Sequence, residues 1–353
     1  MLYIIIAILM FGVLIAIHEW GHFAAAKLLG VKVNEFAIGM GPKLLSKQKG
    51  ETLYSLRAFP IGGYCAMEGE EEETESEGSF SSKPVWKKLI ILVAGSAMNY
   101  IIGFVILLFL FAQATSFVVP VISGFMDGFP SESEAQLMQG DRILSVNGHK
   151  ISIYADLGQY MAPDANGEMD LLIERDGETL TRNNFKLEAQ EYVVDGKIQK
   201  KYGLIFQKEM ATPLDTLKQS WDTSLYFARS VWSGLAMLVR GEAKMSDLSG
   251  PIGIVSIIGQ TGSQAETTES GMYQIFYLIA LIAVNLAIMN LLPIPALDGG
   301  RIFFILIGSL FHLVTRKRLD PKYEGYVHSI GFVLLLLLML AVTFQDVIKL
   351  VKL

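Results

Sequence analysis

Residues 2–22 read LYIIIAILMFGVLIAIHEWGH, and this stretch determines how the rest of the chain is interpreted. The run Leu2–Ile17 carries no charged side chain, and about 20 apolar residues suffice for a helix to cross the roughly 30 Å hydrocarbon core of a bilayer. It passes directly into His18, Glu19 and His22, which are costly at membrane depth unless they face a partner, a cavity or a metal. We therefore expect a retained membrane span whose ionisable groups have a function.

The spacing of the two histidines points to a metal. Residues at i and i+4 lie on one face of a helix, so His18 and His22 can both bind one Zn²⁺ ion. Glu19 would then lie beside the water that zinc activates, where a carboxylate can take up a proton and pass it to the leaving amine of a peptide bond. This is the arrangement of a metalloprotease, and the alternative is a structural histidine pair.

A catalytic zinc site also needs a third protein ligand and an open fourth position. The segment Asn290–Gly300, NLLPIPALDGG, interrupts a later apolar run with two prolines and ends in two glycines. Irregular backbone at membrane depth requires a cavity or a protein partner. Asp298 is therefore the predicted third ligand, and the alternative is that it serves as the N-cap of a helix beginning near Gly299.

The composition of the whole chain agrees with a membrane protein. Of the 353 residues, 52% are hydrophobic and 18% are charged, whereas about a quarter of the residues of soluble proteins are charged. Further runs with little charge occur at Leu89–Ala112, Ile275–Leu292 and Ile330–Val342, which gives four predicted spans. The acidic run Glu68–Glu77 accounts for much of the net charge of −6, so no nucleic-acid partner is expected.

Basic residues near the spans predict the orientation, because cytoplasmic loops are enriched in lysine and arginine. They are abundant after the first span and again after the third. These residues are Lys27, Lys32, Lys43, Lys47, Lys49, Arg57, Lys83, Lys87 and Lys88 in the first segment, and Arg301, Arg316, Lys317, Arg318 and Lys322 in the second. Both segments are therefore expected in the cytoplasm, with the insert 113–270 and both termini outside.

Within the first loop, Val31–Ala66 is predicted to form a small β element at the membrane face, because short extended segments alternate with glycines. A free edge of such a sheet near the active site could pair with an unwound substrate strand. The acidic run that follows is expected to be a solvated linker, with control of access from the cytoplasm as the alternative.

The extracytoplasmic insert contains several strand and turn signals. Gly140–Gly148 combines a turn, an alternating strand and an Asn-Gly turn; Asp170–Glu178 adds a strand and a hairpin turn; Tyr202–Phe206 could close the sheet. The first of these resembles the corresponding stretch of PDZ domains, so 117–208 is predicted to be one PDZ-like domain. Val121–Ala135 lacks the Gly-Leu-Gly-Phe type loop that binds a carboxylate, which favours a gate or size filter over capture of free C-termini.

After this domain, Leu214–Val239 has apolar residues at helical spacing with charged residues between them. We expect an amphipathic helix along the outer membrane interface, where tryptophan and arginine are common. The alternative is an ordinary packed helix.

The motifs HEWGH and NLLPIPALDG resemble those of the site-2 protease family of intramembrane zinc metalloproteases, which pairs His-Glu-x-x-His with a later Asn-x-x-Pro-x-x-x-Leu-Asp-Gly segment. The resemblance covers nearly the whole chain, and it is closest to the RseP/RasP-type bacterial branch in its single-PDZ form. Where the family usually has Gly-Pro in the second span, this chain has Gly95-Ser96.

The resemblance assigns roles to six residues. It implies that His18, His22 and Asp298 bind Zn²⁺ and that Glu19 is the catalytic acid/base. It also implies that Asn290 and Pro293 hold the substrate strand or shape the cleft.

The expected fold is therefore an α-helical polytopic membrane protein of about four transmembrane helices, with a membrane-associated β sheet and an inserted extracytoplasmic PDZ-like β domain. The predicted segments are 1–28 (first span with HExxH), 29–87 (cytoplasmic loop with the β element and the acidic run), 88–113 (second span), 117–208 (PDZ-like domain), 211–270 (interfacial region), 272–298 (third span with NxxPxxxLDG), 299–327 (cytoplasmic connection) and 328–350 (fourth span).

The expected protein is an intramembrane zinc metalloprotease of the bacterial cytoplasmic membrane that cleaves single-span, membrane-anchored proteins; its oligomeric state is left open. The resemblance implies regulated intramembrane proteolysis of anti-sigma factors or remnant signal peptides. One rival is a catalytically silent scaffold that uses its PDZ-like domain, and the intact Glu19 argues against it. Another is a zinc transporter, which would need metal-binding residues in several spans, whereas His149, His312 and His328 are scattered.

Overall fold

The computed structural model describes residues 2–70, 74, 76–129, 136–161, 168–187, 189–194, 197–242, 249–265, 267–316 and 321–351. The chain forms two compact units, residues 1–106 together with 227–353, and residues 107–226. Three sequence predictions fall partly outside the described residues: the acidic run at 71–73 and 75, the basic residues Lys317 and Arg318, and positions 130–135 of Val121–Ala135.

The described chain contains eight helices and ten strands. The helices are α1 (Leu2–Leu28), α2 (Val85–Phe111), α3 (Tyr154–Tyr160), α4 (Pro213–Arg240), α5 (Pro251–Gln264), α6 (Thr268–Asn290), α7 (Asp298–Thr315) and α8 (Pro321–Val351). The strands are β1 (Val33–Lys49), β2 (Thr52–Met67), β3 (Ser116–Phe125), β4 (Arg142–Val146), β5 (His149–Lys150), β6 (Glu168–Arg175), β7 (Glu178–Lys186), β8 (Gln190–Val194), β9 (Lys197–Lys201) and β10 (Leu204–Met210).

Within the described residues, five helices are long and apolar enough to cross a membrane, one more than the predicted count of about four. The additional helix is α7, which occupies most of the segment that was predicted as a cytoplasmic connection. Its uninterrupted apolar run is short, because Arg301 and His312 flank it. The whole helix has 18 residues, or about 27 Å at 1.5 Å per residue, which is close to the thickness of the hydrocarbon core.

The helices of the first unit pack through apolar side chains around α1. Ala7 and Leu14 of α1, Ile258 of α5, and Ile275 and Ile279 of α6 belong to one buried cluster. Small residues allow close approach in such packing, since lipid supplies little driving force for helix association. This cluster fixes the half of α1 that precedes His18.

The predicted β element is present as a sheet of β1 and β2, each of which bends and pairs twice. The segment 33–38 of β1 lies between 63–67 and 53–56 of β2, while 43–49 of β1 pairs with 52–57. The left-handed backbone at Gly39 and Gly62 (φ 84° and 91°) occurs at the bends. The sheet therefore has two outer segments, 43–49 and 63–67.

The sheet packs against the second half of α1. Val33, Cys65 and Met67 from the sheet share a buried cluster with Ala26 of α1 and Ile91 of α2. The outer segment 63–67 is thus held beside the part of α1 that carries the predicted site.

The second unit is built on a six-stranded antiparallel sheet with the order β10-β3-β4-β6-β7, in which β5 also pairs with β4. Two tight turns have positive φ at both central residues, Asn147-Gly148 and Asp176-Gly177, as two-residue hairpins require. Buried residues from β3, β4 and β6 form its core: Ile122, Ile143, Val146, Leu171 and Ile173. A separate hairpin is formed by β8 and β9.

Candidate active site

Helix α1 brings the two histidines of the HEWGH motif together. His18 and His22 are one turn apart, both are buried, and their Nε2 atoms are 3.1 Å apart. The two rings are nearly perpendicular, with their centroids 4.7 Å apart. Both Nε2 atoms therefore face one point.

The backbone of α2 orients one of these rings. His22 Nδ1 lies 2.8 Å from the carbonyl oxygen of Ile91. A carbonyl oxygen can only accept, so Nδ1 carries the hydrogen in the neutral ring and Nε2 presents its lone pair. An imidazole held in this way is ready to bind a metal through Nε2.

Close approach of α2 depends on a glycine. A Cβ atom on Gly95 would lie 2.7 Å from His22 Cε1 and 2.8 Å from His18 Cε1, which no real side chain tolerates. On the other side, a Cβ on Gly21 would meet the backbone of Ala94 and Gly95. Gly95 was not among the predicted functional residues, although a small residue inside an apolar helix indicates tight helix packing.

Asp298 reaches the same point from the connection between α6 and α7. Its Oδ2 lies 3.1 Å from His18 Nε2 and 3.3 Å from His22 Nε2. Asp298 is the first residue of α7, whose N-cap is Leu297, so the carboxylate is not the helix cap considered as the alternative. Gly299 and Gly300 allow the connection to fold back on α7, because a Cβ on either would strike the backbone of Leu291–Pro295.

The three groups fit a Zn²⁺ ion. Ligand atoms at about 2.0–2.1 Å from a tetrahedral zinc are about 3.3 Å from one another, and the three observed distances are 3.1, 3.1 and 3.3 Å. Asp298 Oδ2 is buried and has no hydrogen-bond partner among the described residues, although it lies close to both imidazoles. A buried carboxylate oxygen without a partner is unfavourable, and a cation at this point would satisfy it.

No second group of this kind occurs in the described part of the chain. Of the described His, Cys, Asp and Glu side chains, only His18, His22 and Asp298 form a cluster of three that could hold a metal ion.

Glu19 approaches the β sheet at Gly63. A Cβ atom on Gly63 would be 3.5 Å from Glu19 Cγ, which is an ordinary van der Waals distance, and 2.9 Å from the backbone oxygen of Ala37. The outer segment 63–67 therefore packs closely beside Glu19, and the backbone of Ala37 is what leaves no room for a side chain at Gly63.

The two remaining predicted residues lie in the same region. Asn290 is the last residue of α6, and its Nδ2 is 3.4 Å from His18 Nε2. Pro293 is an exposed residue of the connection, five positions before Asp298. Its role in shaping the cleft stays a prediction.

An ion pair joins two elements next to the site, and the sequence analysis did not anticipate it. Glu70 follows the end of β2, Arg301 lies one turn after Asp298 in α7, and Arg301 Nη1 donates to Glu70 Oε1. Both side chains are partly buried. The pair links the sheet to the helix that begins with Asp298.

Comparison with known proteins agrees with this geometry. The sequence profile of peptidase family M50 matches residues 6–338. Relatives named as zinc metalloproteases occur in Clostridium acetobutylicum, with 36% identity over 98% of this chain and 97% of the relative, and in Fusobacterium nucleatum, with 37% identity over 98% of each. The regulator of sigma-W protease RasP of Bacillus subtilis is 29% identical over 98% of each chain. The chain therefore belongs to peptidase family M50, the site-2 family of intramembrane zinc metalloproteases.

Proposed function

We propose that this protein hydrolyses peptide bonds within or near the transmembrane segments of membrane-anchored proteins, with His18, His22 and Asp298 as the zinc ligands. The observation that carries the proposal is the convergence of two imidazole nitrogens and one buried carboxylate oxygen within 3.3 Å of one another. Zinc held by such ligands supplies Lewis-acid activation of water and of the scissile carbonyl.

Glu19 is the proposed acid/base. Its position directly after His18 in α1, and the approach of its Cγ to Gly63 of the outer segment 63–67, support this role. In this role it takes the proton of the attacking water and delivers it to the leaving amine. Asn290 would donate its amide N–H to the substrate backbone, and Pro293 would shape the entry.

The outer segment 63–67 is the proposed docking edge for the substrate. Among the described residues, β1 is the only strand that pairs with this segment, which supports its use as an edge to which a further strand could be added. A transmembrane helix must unwind before its peptide carbonyls can be attacked, and an unwound segment can replace its lost hydrogen bonds by adding to a sheet edge. A strand added here would run past Glu19.

The second unit would control which proteins reach this edge. We propose that its sheet is a PDZ-like domain outside the cell membrane, as the distribution of lysine and arginine indicates, and that it acts as a gate or size filter. In α4, the exposed side carries Leu217, Trp221 and Trp232, while Ser220 and Thr223 are buried. In a helix that packs in a soluble protein, the apolar side chains would be the buried ones. Apolar side chains on the exposed side of α4 therefore support a position of this helix at the interface of the lipid bilayer.

The substrates we propose are single-span proteins of the bacterial cytoplasmic membrane. A relative is named for the regulation of sigma-W, which makes anti-sigma factors one candidate class, with remnant signal peptides as another. Both are short membrane-anchored chains that could enter from the bilayer.

The test compares wild type with Glu19→Gln in detergent, using zinc content and cleavage of a single-span substrate. Glu51→Gln, at the exposed turn between β1 and β2, is the matched control. We expect about one zinc per chain in all three proteins and cleavage by wild type and Glu51→Gln only. Equal zinc in all three with no cleavage of several helix-destabilised substrates would favour the silent scaffold.

A further inference from the structure

The last helix, α8, contacts the connection that leads to Asp298. His328 Nδ1 lies 3.0 Å from the backbone nitrogen of Ala296, which donates the hydrogen bond. Ala296 precedes Asp298 by two residues. In the sequence, His328 is one of three scattered histidines, yet in the fold it lies at the backbone next to a proposed zinc ligand.

The backbone at Ala296 needs such support. Its φ is 75°, in the left-handed region that residues with a Cβ atom rarely adopt. A residue persists in this conformation only where its surroundings hold it. The hydrogen bond to His328 is one such restraint, because it fixes the direction of the Ala296 N–H.

A second restraint lies one helical turn further along α8. A Cβ atom on Gly331 would meet the ring of Pro295, coming within 3.0 Å of Cγ and closer still to Cβ. The backbone of α8 therefore lies directly against Pro295. The ring of His328 is also 5.4 Å from the ring of Phe304 in α7, centroid to centroid, so it contacts the elements on both sides of Asp298.

We propose that His328 and Gly331 are positioning residues of the protease, through which α8 holds the Pro295-Ala296 turn and thereby sets the location of the Asp298 carboxylate. This inference rests on the proposed function, in which Asp298 is a zinc ligand. Residues that orient metal ligands change metal affinity or activity by about 10- to 100-fold when they are replaced. Helix α8 would thus contribute to the zinc site without supplying a ligand.

The experiment measures zinc affinity of the full-length protein in detergent by competition with a chelator, together with kcat and KM on a single-span substrate. His328→Leu removes the acceptor, whereas His328→Asn keeps an acceptor at the δ position. Gly331→Ala inserts the Cβ that Pro295 excludes. Gly325→Ala on the same helix, where a Cβ meets nothing within 4 Å, and His312→Leu on α7 are the matched controls.

We expect His328→Leu and Gly331→Ala to weaken zinc binding about 10-fold or more and to lower kcat, with KM changed less than about 2-fold. His328→Asn should stay within about 3-fold of wild type, and both controls should match wild type. Wild-type zinc affinity in His328→Leu and Gly331→Ala would overturn the proposal, as would equal losses in His328→Asn and His328→Leu. If His328→Leu does not fold, His328→Gln replaces it. The acceptor atom of glutamine is one bond further from the backbone than Nδ1 of histidine, so we expect the same loss of zinc affinity and kcat as for His328→Leu.

The zinc affinity of Asp298→Ala distinguishes failure of the proposed function from failure of this inference. If the proposed function is wrong, Asp298→Ala would hold zinc as tightly as wild type. If Asp298→Ala loses zinc while the α8 variants keep it, only the role of α8 is refuted.

Discussion

His22 Nδ1 donates to the carbonyl oxygen of Ile91, 2.8 Å away, so a proposed ligand on α1 is oriented by the backbone of α2. The two residues are 69 positions apart, and their contact depends on how closely the helices approach. The geometry of the proposed zinc site therefore depends on the packing of several helices, although its two histidines lie within a single turn of α1.

Gly95→Ala should damage the zinc site through this interface. The added Cβ would lie against both imidazole rings, so α2 would have to move away and the hydrogen bond to Ile91 would lengthen. We expect zinc affinity to fall about 10-fold or more, measured by chelator competition. Gly103→Ala, which crowds Val284 and Ala280 of α6 instead, should keep its zinc. Equal zinc affinity in wild type and Gly95→Ala would contradict the close packing described here.

Asp346 of α8 should be important for stability. It is 2% exposed, and its Oδ2 accepts from the backbone nitrogens of Gly250 (3.0 Å) and Gly253 (2.8 Å) at the start of α5. A carboxylate at a helix N-terminus satisfies unpaired N–H groups and interacts favourably with the helix dipole. Asp346→Ala should lower the free energy of unfolding by about 2–3 kcal/mol, and Asp346→Asn by less. Glu269→Ala, at an exposed position in the first turn of α6, serves as the control and should change it by under about 0.5 kcal/mol.

The β sheet should lose stability in acid because of Glu35. Burial by itself raises the pKa of Glu35, but hydrogen bonds from Ser55, Arg57 and Tyr64 and the charge of Lys43 outweigh burial and lower the pKa from 4.5 to about 2. A carboxylate whose pKa is lower in the folded state stabilises the fold above its unfolded pKa, and this contribution disappears as the pH falls through the folded pKa. The loss should therefore occur between about pH 4.5 and pH 2.

The measurement is thermal unfolding of wild type and Glu35→Gln as a function of pH. Wild type should be more stable at pH 6 by on the order of 1 kcal/mol, since water reaches part of this network, and the two proteins should converge towards pH 2. A difference that stays constant from pH 6 to pH 2 would show that the charge of Glu35 is not the cause.

The ion pair between Glu70 and Arg301 should couple the sheet to α7. A double-mutant cycle with Glu70→Ala, Arg301→Ala and the double variant should give a coupling energy of about 1 kcal/mol in unfolding experiments, because the pair is only partly exposed. Lys27 and Glu51, a more exposed pair at 2.5 Å, provide the comparison and should couple more weakly. Additive effects of the two Glu70 and Arg301 substitutions would mean that the pair does not link the two elements energetically.

Local patterns predicted the parts of the site that depend on local geometry. The i, i+4 spacing placed His18 and His22 on one helix face, and the prolines before Asp298 indicated a broken helix. Contacts between distant residues were not predictable in this way. Ile91 and His328 lie beside the site because of helix packing, and nothing in their immediate neighbours along the chain signals it. Gly95 in its apolar helix indicates close packing of helices but not which helix it contacts. The sequence prediction did not include α7 among the candidate spans, since Arg301 and His312 shorten its apolar run.

Mapping the cleavage position in a membrane tests whether Glu19 supports hydrolysis within or beside a transmembrane segment. Purified wild type and Glu19→Gln would be placed in liposomes with a single-span substrate, and the product termini would be identified by mass spectrometry. We expect new termini within or beside the transmembrane segment with wild type and none with Glu19→Gln, although both proteins retain zinc. Identical products from Glu19→Gln, or a wild type that leaves every such segment intact, would contradict this expectation.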